Sequence, residues 1–343
     1  MNDAISPAVR ERIAQAFAGF IGNDEAVYGI KRILAVALMH QPPTLRRVML
    51  LTGAPSTGKT EIARRMAACL ALPMAQMDGR NVRSREALAE FLSDALSGQA
   101  VQVERAGERG GLPVRRYPPM IAFVDEAHMI SADVQQTLLT LTESSDRTAV
   151  LKGADSNKFV MDASHIGFVF ATTKPSEIDA ALRSRFTEIT LQRYTEDQVV
   201  AMLEPRYGTR LATDTLLRIA RVARLTPRTA FDVAQDVIDE VMTAETVVEA
   251  RVALRQVMRE RGIVTENGLT RTDIRYLRSL AKENKPVAAG TMRALLYDVP
   301  PDTIEDDTEP FLISRGLVRI RERGRVLTMT GHAVVDQLET RGI

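Results

Sequence analysis

The sequence predicts an α/β core with a parallel sheet, followed by a helical lid segment and a C-terminal winged helix. Three observations carry this. Short apolar runs alternate with helical stretches as far as Arg193. From Thr195 to Arg261 only amphipathic helical periodicity remains. Beyond Gly262, helical patterns precede two strand-like runs joined around Gly324. At 343 residues the chain has room for two or three domains on a scale of about 150 residues each, and the expected division is 1–192, 193–262 and 263–343.

In chain order, Ile13, Phe17 and Phe20, then Ile30, Ile33, Leu34, Ala37 and Leu38, recur at helical spacing on either side of the turn Gly22-Asn23-Asp24. Gln41-Pro42-Pro43 stops the second helix, and the apolar run 47–52 reads as a buried strand. A glycine-rich turn follows, and the alanine-rich stretch 60–72, closed by Pro73, reads as the helix it feeds. Runs 120–124 and 166–171 are two further buried strands. Thr195 with Gln198 makes a capping box that opens the helical segment. In the last segment, helices are expected over 272–283, 291–296 and 303–315, and strands over 317–320 and 326–329.

Composition narrows the class. Hydrophobic residues at 45% and charged residues at 26% describe an ordinary globular chain. No stretch reaches the roughly 20 apolar residues of a membrane span, and the first residues lack a signal-peptide core, so a cytoplasmic protein is expected. The single cysteine, Cys69, cannot form an internal disulfide and reads as buried helix packing. Basic and acidic residues balance at 45 to 44, so net charge neither demands nor forbids a polyanionic partner. Tryptophan is absent and aromatics are only 5%, which disfavours a surface that grips single strands by stacking bases.

The chemistry is concentrated in a few motifs. Gly53-Ala54-Pro55-Ser56-Thr57-Gly58-Lys59-Thr60 matches G-x-x-x-x-G-K-[ST], between a strand and a helix as that phosphate loop requires. Its backbone N–H groups would wrap phosphates, Lys59 would supply charge, and the Thr60 hydroxyl would ligate Mg2+. The strand at 120–124 runs into Asp125 and Glu126, one carboxylate for the magnesium shell and one to orient or deprotonate the attacking water of ATP hydrolysis. Asp125-Glu126-Ala127-His128 also spells the signature of a helicase superfamily with two tandem motor cores, but no second α/β core follows. His128 reads as a packing or supporting residue. Thr173, at the end of the third strand, is the candidate γ-phosphate sensor. Arg183 and Arg185 close the α/β region, where one could be offered to a neighbouring subunit's ATP. Arg228 follows Pro227 at a helix start in the helical segment, as suits a lid arginine.

Together these motifs resemble the AAA+ ATPases, and within them the RuvB-like motors of Holliday-junction branch migration. The resemblance runs from Phe20-Ile21-Gly22 to the winged helix. It is most specific in Pro286-Val287, Asp302-Thr303-Ile304-Glu305-Asp306, Glu309-Pro310-Phe311-Leu312-Ile313, Arg315-Gly316 and Arg323-Gly324-Arg325-Val326. It implies that Thr173 is sensor 1, Arg185 a finger acting in trans, Arg183 its support and Arg228 sensor 2, and that Phe20 and Ile21 join the nucleotide site. It further implies a hexameric ring around duplex or branched DNA, with the winged helix on the DNA backbone.

Local charge agrees with a backbone contact. Asp302, Glu305, Asp306, Asp307 and Glu309 make the third helix of the winged segment acidic and unsuited to a major groove. Arg315, Arg319, Arg321, Arg323 and Arg325 face only Glu322, a surplus suited to phosphates. Segment 147–165 occupies the place of the family's hairpin for its adaptor RuvA; Val150 with Phe159 and Met161 supply alternating apolar flanks, and the tip 152–158 is polar. Segment 103–117 reads as an extra glycine- and arginine-rich surface loop. An alternative function uses the same hydrolytic residues: a loader or protein-remodelling switch that acts on a protein partner and keeps the winged helix as an anchor.

Overall fold

The computed structural model describes residues 6–94, 102–104, 112–143, 147–152, 157–244, 249–283 and 285–342. The chain divides into two compact units, Met1–Tyr194 and Thr195–Ile343.

The first unit opens with α1 (Pro7–Ala16), capped by the Ser6 hydroxyl, and α2 (Asp24–Ala37). Then come β1 (Met49–Gly53), α3 (Lys59–Leu70), β2 (Met74–Asp78), α4 (Arg85–Asp94), β3 (Gln102–Glu104), β4 (Val114–Arg116) and β5 (Met120–Asp125). It finishes with α5 (Ala132–Leu141), β6 (Thr148–Lys152), β7 (Lys158–Asp162), β8 (Ile166–Thr172), the single turn α6 (Ala180–Arg183) and β9 (Thr187–Leu191). Five strands form one parallel sheet in the order β2-β5-β8-β1-β9. Its central strands are buried on both faces, which is why they read as unbroken apolar runs. The two-residue period of a strand sends Leu50, Ala122 and Phe170 into one core and Leu51, Phe123 and Ala171 into the other. The second core is closed by α1, α2 and α3, where Cys69 is buried as expected.

β2 and β9 carry no sequence signal because they are the sheet edges. Their sequences, MAQMD and TEITL, are only partly buried, so no apolar run marks them. The segment expected as an extra loop behaves differently from a loop at both ends: β3 and β4 pair antiparallel, and β4 lies parallel to β7, giving a second sheet in the order β3-β4-β7-β6. Residues 105–111 of that segment lie outside the described residues. The expected 147–165 hairpin is formed by β6 and β7, and 153–156 of its tip likewise lie outside the described residues. Its apolar face differs by one register step from the expectation. Leu151 pairs with Phe159 and Ala149 with Met161 on the inner face, whereas Val150 pairs with Val160 and is exposed.

The second unit holds α7 (Glu196–Tyr207), α8 (Thr213–Val222), α9 (Pro227–Thr243) and α10 (Ala250–Glu260). Thr195 and Gln198 form the predicted capping box at the start of α7. The winged part follows with α11 (Arg271–Glu283), α12 (Ala289–Leu295), a π-helical stretch over Thr303–Thr308 running into α13 (Glu309–Ser314), the antiparallel pair β10 (Val318–Arg321) and β11 (Gly324–Leu327), and α14 (Met329–Thr340). The last helix is an addition to the three helices expected. α8 and α9 are joined by Arg224 and Leu225, both at positive φ, and the Arg224 guanidinium reaches the winged part. It bonds to the Gly268 carbonyl and to the Asp273 and Asp307 carboxylates, and lies 4.1 Å from the centre of the Phe311 ring.

Candidate active site

The phosphate loop connects β1 to α3. Gly53 and Gly58 both have positive φ and both are crowded: a Cβ on Gly53 would stand 2.6 Å from the Leu191 carbonyl oxygen, and one on Gly58 2.8 Å from the Tyr194 hydroxyl and 3.3 Å from Phe20. Within the loop, the Thr57 hydroxyl donates to the Ala54 carbonyl at 2.9 Å and Ser56 holds a left-handed φ of 59°. Lys59 is the first residue of α3 and is buried, its ammonium donating to the Gly53 and Ala54 carbonyls at 2.9 Å each. Burial pulls its pKa down, and the Glu126 and Asp125 carboxylates partly offset that. The loop is braced from behind by two residues that carry no motif. Tyr194 donates to the Thr57 carbonyl at 2.9 Å, and the Asn23 side chain bridges Thr57 and Gln192. Phe20 stacks edge-on against Phe17 beside the loop, and Ile21 follows it half-buried.

β5 delivers the carboxylates. The Thr60 hydroxyl donates to Asp125 Oδ2 at 3.3 Å, joining loop and strand in a pair of hard oxygen donors. Glu126 takes a left-handed φ of 47°, and its N–H donates to Asp125 Oδ1 at 3.0 Å. Such a backbone costs roughly 1–2 kcal/mol in a residue with a Cβ, and surrounding contacts hold it there. Gly79 is one of them, packed so close that a Cβ would stand 2.4 Å from the Glu126 carbonyl oxygen.

The Glu126 side chain is fixed as well. The Thr173 hydroxyl, just past β8, donates to Glu126 Oε2 at 3.4 Å, and His128 Nδ1 lies 3.3 Å from the same oxygen and 3.0 Å from Thr172 Oγ1. His128 is therefore a brace between Glu126 and the fully buried Thr172. The arrangement suits attack of water on a terminal phosphate: Lys59 for charge, Thr60 and Asp125 as oxygen ligands, and Glu126 as an aimed proton acceptor.

The predicted arginines have different surroundings. Arg183 is paired with Glu188, while Arg185 donates to the Leu139 carbonyl at the end of α5 and to Glu143, at 2.6 and 2.7 Å. Arg228 is exposed in the first turn of α9, in the second unit. Arg319, Arg321 and Arg323 are exposed on the wing. Arg325 departs from the expectation that it faces phosphates with Arg319, Arg321 and Arg323: it is opposite Ile320 on the other face of the hairpin, only 17% exposed, with both guanidinium arms on Glu309 at 2.9 Å. Alternation along the strand separates it from Arg319 and Arg321. Glu309, counted among the surface acids from sequence, is thereby an interior residue that also accepts from the Tyr276 hydroxyl at 2.7 Å. Asp307 is likewise occupied, by Arg224.

Comparison with known proteins covers most of the chain. The family of ATPases associated with various cellular activities (AAA) matches residues 49–194, and the RuvB C-terminal winged helix domain matches 266–336. The Holliday junction branch migration complex subunit RuvB of Gluconobacter oxydans (strain 621H) is 30% identical over 290 residues, covering 82% of this chain and 76% of that protein. The chain belongs to the RuvB family. It is accordingly a nucleotide-binding ATP hydrolase of the AAA+ class. The fold agrees: the Thermotoga maritima RuvB branch migration motor superposes with a TM-score of 0.71 at 22% identity over 92% of this chain and 95% of that one. A K64R mutant of the same protein gives 0.72 at 21% identity, with the same coverage.

For this RuvB-family site, sequence reasoning missed Tyr194, Asn23 and Gly79. Gly22-Asn23-Asp24 was legible as a turn, but nothing local marks its side chain as a brace for a loop 34 residues away. Tyr194 precedes a capping box and carries no signal of its own. Among the described residues no helix is long and apolar enough to cross a membrane.

Proposed function

We propose that this RuvB-family ATPase is a DNA motor that assembles as a hexameric ring on duplex or branched DNA in the cytoplasm and drives branch migration by ATP hydrolysis. The observation that carries the reading is the union, in one chain, of a complete hydrolytic constellation with a winged helix whose exposed wing bears Arg319, Arg321 and Arg323. Phosphate contacts from such a wing position the protein without reading sequence, as a translocating motor requires.

Mg2+ fits the donor set. Thr60 and Asp125 offer two hard oxygens, and among the described residues no cluster of three metal-ligating side chains competes for it. Bound there with the phosphates of ATP, the ion would neutralise charge developing on the phosphoryl group. The loop of Gly53, Ala54, Pro55, Ser56, Thr57 and Gly58 would hold the phosphates, and Phe20 and Ile21 would complete the nucleotide site. Glu126 accepts the proton of the attacking water, and Thr173 senses the γ-phosphate through its bond to Glu126. Arg185 is the finger that enters a neighbouring protomer's site, Arg183 supports it, and Arg228 is the lid contact. In this reading the Arg185–Glu143 pair opens when the ring closes.

The β6–β7 hairpin, 147–165, is the docking element for a RuvA-like adaptor, and here it is broadened by β3 and β4. The test is steady-state ATPase activity with and without duplex DNA, for wild type and an Arg319/Arg321/Arg323 triple alanine variant. Stimulation of the wild type that the variant loses, at unchanged basal turnover, is expected. A wild type indifferent to duplex would overturn the motor reading.

A further inference from the structure

We propose that the loop between β2 and α4 is a second nucleic-acid contact, in which Arg80 and Arg83, with Asn81 between them, bind backbone phosphates beside the catalytic carboxylate. The inference rests on the reading of the chain as a DNA motor. Residues 79–85 read Gly-Arg-Asn-Val-Arg-Ser-Arg, a basic run without an acid.

The loop is held stiffly. Val82 is fully buried, its N–H donates to the Gly79 carbonyl, and its own carbonyl accepts from the Ser131 N–H. The Asp78 carboxylate accepts from the Arg80 N–H at 2.8 Å. On this frame Arg80, Asn81 and Arg83 all point to solvent, the Arg80 side chain 63% exposed. Its ion pair with Asp78 is long, at 3.8 Å, and among the described residues Arg83 has no ion pair, its Nε donating only to the Arg80 carbonyl. Arg85, two residues on, is different: Asp133 holds it with Nε and Nη2 at 2.6–3.0 Å. One short segment thus presents an exposed cation held by a single long ion pair, Arg80, a second with no ion pair among the described residues, Arg83, and one neutralised neighbour.

The location gives the contact a consequence. Asp78 is in register with Asp125, and Gly79 lies against the Glu126 carbonyl so closely that no side chain would fit. A phosphate drawn onto Arg80 and Arg83 therefore loads the backbone that holds Glu126 in its left-handed conformation. Contacts of this kind are independent of base sequence and strongly salt-dependent.

The experiment measures binding of a fluorescein-labelled duplex to the full-length protein across a salt series, with ATPase activity in parallel, for wild type, Arg80→Ala/Arg83→Ala, Arg85→Ala and the wing triple variant. Loss of two phosphate contacts should weaken duplex affinity about tenfold or more near 0.1 M salt and flatten the log–log salt slope by about 1.8. Basal turnover and the KM for ATP should stay at wild-type values, duplex-stimulated kcat should fall, and Arg85→Ala should match wild type. Wild-type affinity and slope in the double variant, with the wing variant defective, would overturn the loop contact and leave the motor reading intact. A raised KM for ATP with duplex affinity unchanged would also overturn it, by assigning the arginines to a nucleotide's phosphates. A wild type that binds no duplex at any salt concentration would sink both.

Discussion

The Thr173 hydroxyl donates to Glu126 Oε2 at 3.4 Å, so the end of β8 and the end of β5 meet on the carboxylate assigned to water activation. The contact makes Thr173 a positioning residue for Glu126 as well as a candidate phosphate sensor. Replacing Glu126 by Gln should leave ATP binding intact and lower single-turnover hydrolysis by about 10² to 10⁴. Thr173→Val should lower kcat by a smaller factor, about tenfold, with nucleotide affinity retained. Near-wild-type turnover in Glu126→Gln would remove that residue from its role.

Arg185 is engaged by Leu139 and Glu143 of its own protomer. If it serves a neighbour's nucleotide, Arg185→Ala should be inactive alone but partly active in mixed rings with Lys59→Ala, because each protomer supplies what the other lacks. ATPase activity measured across mixing ratios checks this, and a flat zero at every ratio would count against a finger in trans.

Arg325 and Glu309 form a largely buried pair completed by Tyr276. Burial, followed by the neighbouring Glu309 carboxylate, pushes the Tyr276 hydroxyl far up, so it stays a neutral donor. Arg325→Ala leaves Glu309 without its cation, at a cost of about 3–5 kcal/mol. Arg319→Ala, at an exposed position, should fall within about 0.5 kcal/mol of wild type. Chemical denaturation followed by circular dichroism distinguishes the two; equal stabilities would refute the inward assignment.

Asp273 predicts a pH dependence. It is buried with Arg224, Thr270 and Asp307 around it, Oδ1 has no hydrogen-bond partner among the described residues, and burial raises its pKa despite the Arg224 guanidinium. A carboxyl raised on folding contributes stability that is full below the ordinary aspartate range and is lost as pH rises through the raised value. Asp273→Asn should therefore gain on wild type in thermal unfolding as pH rises from about 3 to 7. A gap that is constant with pH, or that moves the other way, would show that the carboxyl is not raised.

What the sequence by itself determined is whatever depends on residues close together in the chain. The phosphate loop is an eight-residue pattern with a strand before it and a helix after it, and Asp125, Glu126 and Thr173 sit at the ends of strands whose apolar runs announce them. The capping box at Thr195 and the wing hairpin were legible for the same reason. Only the tertiary structure decided how partly apolar segments pair and which polar groups end up inside. β2 and β9 are strands because buried neighbours offer them a free edge, not because their own residues insist on it. Glu309 and Arg325 look like surface charges until the hairpin lies back on α13, and Tyr194 becomes a brace only when it meets a carbonyl 137 residues earlier in the chain. Local pattern specifies backbone conformation and the chemistry on offer. The environment of each side chain is set by residues far away in sequence, whose arrival is a property of the packed fold.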